Sequence, residues 1–208
     1  MQRLAKTSEH VAMAATSGDG RLLFTGTYTD STPFLFGTPG KGILAFSVGE
    51  DGGLTALSGG EAVPAGVNPT YLVANKAGTR LYSANESEPS EVRAFAIDRT
   101  GGALLTPLNT RSARGLGACW VTLTADDKFL CCTNYSSGSA LTFPVTDDGL
   151  GEAAAFAPQE GLKDLGPNPN RQEGPHAHAI MFSPTSPTDC YIPDLGMGEY
   201  THVISTTP

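Results

Sequence analysis

The chain reads as all-β, assembled from one four-stranded unit used several times over. Three observations lead there. Gly (25) and Pro (15) break the 208 residues into short runs, which suits strands joined by tight turns and disfavours long helices. No stretch keeps a sustained 3.6-residue apolar period, and nearly every apolar run is of strand length. The pattern also repeats. Tyr71, Leu72, Leu81 and Asn85 recur 49 positions on as Trp120, Val121, Leu130 and Asn134, and Phe95 recurs one short as Phe143. A further copy sets His178, Ala179 and Ile180 against Trp120, Val121 and Thr122, with Asp194 against Asn134. Looking backward, Arg21 and Leu22 match Arg80 and Leu81.

Taken in order, strands are expected at 21–27, 42–48 and 54–57, the last two joined by the hairpin signal Asp51-Gly52-Gly53. Residues 71–74, a turn at Asn75-Lys76-Ala77-Gly78, and residues 80–84 and 92–97 follow. A turn at Thr100-Gly101-Gly102 precedes a strand at 103–105. The run 42–48 is apolar on both faces, so its sheet is covered on both sides. Each unit reads strand, turn, strand, loop, strand, hairpin, strand. Four antiparallel strands every ~40–50 residues is the arithmetic of a β-propeller blade. One such sheet cannot bury both its faces, so the units must stack around an axis. The expected fold is a partial β-propeller of about three to three and a half four-stranded antiparallel blades over residues 20–200. Residues 1–19, which mix charged with small residues, are expected to be a disordered tail. Equivalent strand ends carry Asn85-Glu86, Asn134-Tyr135 and Asp194-Leu195, and stacking would gather them at one mouth of the central channel.

The densest chemistry lies in Arg171-Gln172-Glu173-Gly174-Pro175-His176-Ala177-His178, followed by Asp194-Leu195-Gly196. Pro175 biases Gly174 toward extended backbone. Two His at i and i+2 then point the same way, because strand side chains alternate. A guanidinium, an imidazole pair and a carboxylate are the parts that bind an anion and move a proton near neutral pH.

Composition narrows the partners. A net charge of −8 argues against nucleic acid, whose phosphates demand a basic surface. A small anionic substrate remains compatible, since local Arg outweighs a diffuse negative field at close range. No apolar run approaches the ~20 residues of a membrane helix, so no membrane partner is expected. The N-terminus lacks the apolar segment of a secretory signal, and the expected location is cytoplasmic, with an organelle transit peptide as the rival reading. Cys119, Cys131, Cys132 and Cys190 show no C-x-x-C spacing and read as reduced strand cysteines.

Several of these residues carry a family resemblance. Gly26-Thr27-Tyr28-Thr29, Gly42-Ile43 with Phe46, Asn68-Pro69-Thr70-Tyr71-Leu72, Leu81-Tyr82 with Asn85-Glu86, and the run from Ala94 to Asp98 are the first pieces. Thr133-Asn134-Tyr135 with Gly138-Ser139, Arg171-Gln172, Pro175-His176-Ala177-His178 and Asp194-Leu195-Gly196 complete them. Together they resemble the lactonase family of seven-bladed propellers, which includes cycloisomerase-like 6-phosphogluconolactonases and is related to carboxy-muconate cyclase. The resemblance implies hydrolysis of a sugar lactone, with phosphorylated 6-phosphogluconolactone as the leading substrate. Carried over by position, it implies His176, His178 and Glu86 as catalytic groups, and Arg171, Asn85, Asn134 and Asp194 as substrate-binding groups. Trp120 departs from the family, which has His there. The final residues, 201–208, do not resemble the family's next strand and are expected to be a tail outside it, so the propeller reads as truncated after its N-terminal half. Its open blade edges then invite self-association.

A lactone needs only an activated water and a held oxyanion. A general base supplies about 10²–10⁴ in rate and a preorganised donor roughly 10²–10³. No cofactor is expected. His176, His178, Glu86 and Asp194 would make a metal site only if they converged, and none is expected. No Gly-x-Ser-x-Gly elbow offers a serine nucleophile. Two other functions compete: a catalytically inactive propeller remnant serving as a binding or interaction module, and a muconate-type lactonising cycloisomerase.

Overall fold

The computed structural model describes residues 10–14, 20–30, 38–100, 104–158, 166–186, 189–196 and 201–205, the first and last of these by backbone alone. The strands fall into four antiparallel sheets, stacked as consecutive blades. The first holds β1 (His10–Ala14), β2 (Arg21–Gly26), β3 (Leu44–Val48) and β4 (Leu54–Ala56) in that order. The second runs β5 (Pro69–Ala74), β6 (Arg80–Asn85), β7 (Glu91–Ile97) and β8 (Leu105–Ser112). The third runs β9 (Ala118–Leu123), β10 (Phe129–Asn134) and β11 (Ser139–Thr146), and both β12 (Gly149–Leu150) and β13 (Ala155–Pro158) pair with β11. The fourth holds β14 (Met181–Phe182), β15 (Asp189–Pro193) and β16 (Thr201–Ser205). β1, β5 and β9 are neighbours across the blades, so the first strand of each of the first three sheets is the inner one.

Strand alternation explains how the two middle sheets cover both faces. Leu81 joins Phe24, Ile43, Leu72 and Phe95 in the core between the first and second blades. Its neighbour Tyr82 turns the other way, into the core with Val121, Leu141, Phe143 and Leu150. Cys132 shares that second core, and Cys131 faces Ile180, Cys190 and Ile192 of the fourth blade. The expected all-β partial propeller is therefore the observed one, with nearly a full fourth blade. Met181 and Tyr191, register partners, are exposed on that last sheet. Among the described residues no helix is long and apolar enough to cross a membrane.

Three expectations need correction. Residues 10–14, read as part of a disordered tail, pair with 22–26 and form the inner strand of the first blade. Main-chain pairing with β2 supplies their hydrogen bonds, so they need no long apolar run to signal a strand. Residues 201–205, read as a tail outside the blades, pair with β15 from Thr201↔Pro193 to Ser205↔Asp189. Their Thr, Val and Ile content suits a strand. The strand expected at 103–105 instead runs from Leu105 to Ser112. Pro107 hid it, but β8 is an outer strand, where a missing N–H is tolerated, and a register shift lies opposite between Ala94 and Phe95. Residues 1–9, 15–19, 101–103, 197–200 and 206–208, which also entered the sequence reading, lie outside the described residues.

The cysteines give the fold a pH dependence. Burial pushes the Cys119 and Cys131 thiols from 9.0 up to about 12. The unfolded thiol then ionises first, so stability is full below pH 9 and falls as pH rises toward 12. The expected slope is up to ~1.4 kcal/mol per pH unit for each thiol. Urea melts at pH 8, 9 and 10 should show a falling midpoint, with Cys131→Ala flattening the slope.

Candidate active site

The loops leaving the second strands and the loop entering the fourth blade meet at one end of the stack, around a cleft of about 460 Å³. That volume suits a small-molecule ligand. Glu86 follows β6, Tyr135 and Ser136 follow β10, and Arg171, Glu173, His176 and His178 come from the segment before β14; all line the cleft.

A recurring irregularity shapes its inner wall. In the second blade Pro69 pairs with Asn85 and Tyr71 with Ala84, which leaves Thr70 as an extra residue. In the third, Ala118 pairs with Asn134 and Trp120 with Thr133, which leaves Cys119 extra. In the fourth, Ala177 pairs with Asp194 and Met181 with Tyr191, the same one-residue shift. His178 follows Ala177 there and donates its N–H to Pro193 O at 3.0 Å. Such bulges re-aim side chains, and Thr70, Cys119 and His178 all reach the cleft. The structural repeat thus aligns His178 with Cys119, one position from the alignment with Trp120 that the sequence suggested.

His178 is exposed, and among the described residues its ring nitrogens make no hydrogen bond. The Tyr135 ring meets it edge-on, with centroids 5.6 Å apart. His176 is held differently. It is buried and stacked on Tyr135, with centroids 4.4 Å apart and planes 9° apart. Its Nδ1 donates to Tyr135 O at 3.0 Å, since a carbonyl can only accept, and its Nε2 lies 3.2 Å from Glu173 Oε1. The Glu173 carboxyl is held below its usual range chiefly by its own main-chain N–H, with the charges of His176 and Arg171 adding to this. Arg171 is exposed and donates to Tyr135 Oη at 3.2 Å. Tyr135 therefore organises both imidazoles and the guanidinium at once.

Glu86 sits on another wall. Its Oε2 accepts from Tyr28 Oη at 2.7 Å and from Thr70 Oγ1 at 3.0 Å. Burial, and then the bond to Glu86, push the Tyr28 hydroxyl well above its ordinary pKa, so it stays a donor. Asn68 fixes both loops. Its Oδ1 accepts from the N–H groups of Thr29 and Asp30, and its Nδ2 donates to Glu86 O at 3.0 Å. The Cys119 thiol is held neutral by burial and points at the Ala177 and His178 carbonyls, each 3.5 Å away, so it is no nucleophile.

The other three predicted site residues do not reach the cleft, which corrects their assignment as substrate-binding groups. Asn85 and Asn134 are fully buried. Asn85 donates to Ala65 O at 2.7 Å and Val67 O at 2.8 Å and accepts from Ser83 Oγ. Asn134 donates to Ala113 O at 2.8 Å and Ser139 Oγ at 3.0 Å. Asp194 Oδ1 accepts from His176 N at 2.9 Å and Gly196 N at 2.8 Å. Each pins the loop entering its own blade's inner strand. The repeat brought them to equivalent places, but strand alternation turns them inward and leaves the next residue, Glu86 or Tyr135, to face the cleft. Gly196 completes the pin, because a Cβ there would run into Gly174 O.

Glu86 is committed to Tyr28 and Thr70, and Asp194 to main chain, so these two do not converge with the imidazoles. Among the described residues no three His, Cys, Asp or Glu side chains form a metal-ligating group. Sequence reasoning missed Tyr28, Asn68, Tyr71 and Tyr135 as site residues. Tyr135 had a signal, since it follows Asn134 as Glu86 follows Asn85.

Comparison with known proteins fits this geometry. The chain is 36% identical over 119 residues to the 6-phosphogluconolactonase of Bacillus subtilis (strain 168), covering 56% of this chain and 33% of that one. A 6-phosphogluconolactonase candidate from Bacteroides fragilis superposes with TM-score 0.73 at 32% identity, over 88% of this chain and 48% of that one. The Pseudomonas aeruginosa periplasmic gluconolactonase shares the fold, with TM-score 0.70 at 24% identity over 88% and 48% of the two chains. The chain thus spans about half the length of these structural relatives and a third of the Bacillus one. The model of the lactonase family, 7-bladed β-propeller, matches residues 6–202, and the protein belongs to that family.

Proposed function

We propose that the cleft hydrolyses a sugar lactone, with 6-phosphogluconolactone as the leading substrate. The observation that carries this reading is His178, an exposed imidazole on a cleft-lining bulge whose ring nitrogens are uncommitted among the described residues. It takes a proton from water as that water attacks the lactone carbonyl carbon. The tetrahedral intermediate collapses, the ring C–O bond breaks, and the imidazolium returns the proton to the leaving alkoxide. His176 is the positioning residue: pinned by Asp194 and stacked on Tyr135, it fixes the ring against which His178 rests. Glu86, held by two hydroxyl donors, accepts a hydrogen bond from a sugar hydroxyl. Arg171 at the rim takes the phosphate, for which its planar fork is suited. The names of the Bacillus and Bacteroides relatives support the substrate class.

The test is lactone opening by the purified chain, followed by proton release at pH 7 and compared with buffer. Arg171→Ala should raise KM for the phosphorylated lactone about 10–100-fold, the loss of one charged hydrogen-bonding group of ~1.5–3 kcal/mol. It should leave the unphosphorylated lactone unaffected. No rate above buffer would refute the hydrolase reading, and an equal effect on both lactones would refute the role of Arg171.

A further inference from the structure

Tyr71 and Trp120 occupy equivalent positions on the inner strands β5 and β9, one residue beyond the bulges at Thr70 and Cys119. Their rings stack with centroids 4.0 Å apart and planes 26° apart, and both line the cleft. The third equivalent position, after His178, is Ala179, which adds no ring. Tyr71 and Trp120 are thus a pair stacked on each other, in the same cleft lining as Tyr28, Tyr135 and His178. The Trp120 indole nitrogen is buried and has no hydrogen-bond partner among the described residues, so this side chain offers the cleft ring carbons and no donor. A pocket that also holds Glu86, Arg171 and two imidazoles thus has, at Trp120, a stretch of lining that gives a hydroxyl or a charge no hydrogen bond, with the Tyr71 hydroxyl the polar group on the stacked pair.

We propose that Tyr71 and Trp120 are specificity-determining residues that take the C–H face of a saturated six-membered ring and discriminate against the open-chain acid. The inference rests on the reading that the ligand is a cyclic sugar ester. A closed ring presents a continuous patch of C–H groups to an aromatic wall, and the contact removes apolar surface from water on both sides. Once the ring opens, the chain carries its hydroxyls on all sides and that patch is lost. The wall therefore favours the reactant over the product and helps the acid leave.

Trp120 is the sole tryptophan in the chain, so its fluorescence reports on the wall directly. The probes are 1,5-anhydroglucitol 6-phosphate, a ring that cannot hydrolyse, and open-chain 6-phosphogluconate. The ring compound should change the emission saturably and bind about tenfold more tightly than the acid. By calorimetry, Trp120→Ala should weaken the ring compound about tenfold or more and change the acid less than about twofold. Trp120→Phe should stay within about threefold of wild type, because only ring carbons are used. Equal affinity for both probes, an unchanged emission at saturation, no binding of the ring compound, or equal losses for both in Trp120→Ala would each overturn the proposal. If Trp120→Ala does not fold, the wild-type titration and Trp120→Phe decide. Lactone turnover with no ring preference would sink the wall and leave the hydrolase reading standing. Selective ring binding without turnover would do the reverse.

Discussion

His178→Ala is expected to lower kcat for lactone opening by about 10²–10⁴, the range for removal of a general base. That is ~2.7–5.4 kcal/mol of transition-state stabilisation. Stability should hardly change, because the ring is exposed and no described hydrogen bond of the imidazole is lost. His176→Ala is expected to behave differently. It removes a buried ring with partners at Tyr135 O and Glu173 and a stack on Tyr135, so the variant should lose thermal stability as well as rate. Parallel thermal melts and kinetics of the two variants separate the roles. A His178→Ala enzyme with unaltered kcat would remove the proposed base.

Asn85→Ala carries the second large effect, on folding. It strips the donors from the Ala65 and Val67 carbonyls and the acceptor from the Ser83 hydroxyl. Each buried group left unsatisfied costs about 1–3 kcal/mol, so a loss on the order of 2–4 kcal/mol is expected. Against a total of about 5–15 kcal/mol for a typical domain, that is a visible drop in the urea midpoint. The folded fraction should keep kcat/KM within about threefold of wild type, since Asn85 does not line the cleft. A stable Asn85→Ala protein with abolished turnover would instead restore Asn85 to the substrate-binding role implied by the resemblance. Glu86→Gln is the matched control. It changes a cleft-lining group and should affect kinetics before stability.

The contrast between Asn85 and Glu86 shows what could be read without coordinates. The repeat that aligned Asn85, Asn134 and Asp194 was sound, and it located the cleft end of the blades. Which of two neighbouring residues faces the cavity depends on strand alternation at the strand end, which an alignment of repeats does not assign. A bulge, which shifts register without altering composition, misaligned His178 with Trp120. Strands with two apolar faces were legible where a blade lies on each side, as at Leu81 and Tyr82, whereas of the run 42–48, expected to be covered on both sides, only Ile43 and Ala45 enter a described core. The strand 10–14 was hidden because it is specified by pairing with β2 more than by its own residues. β8 was hidden by Pro107, which an outer strand tolerates. Tyr135 was placed at the channel mouth by the repeat but given no role, because that role lies in contacts with Arg171, His176 and His178, 36 or more positions away, which no local pattern records.

Chemical rescue tests the central claim most directly. A His178→Gly variant, folded and deficient in lactone opening, is assayed with increasing free imidazole at pH 7. If the bulge exists to hold a base against the attacking water, added imidazole should restore part of the lost rate with saturation and should do nothing for Asn85→Ala. Failure of imidazole to accelerate His178→Gly above the buffer reaction would contradict the account.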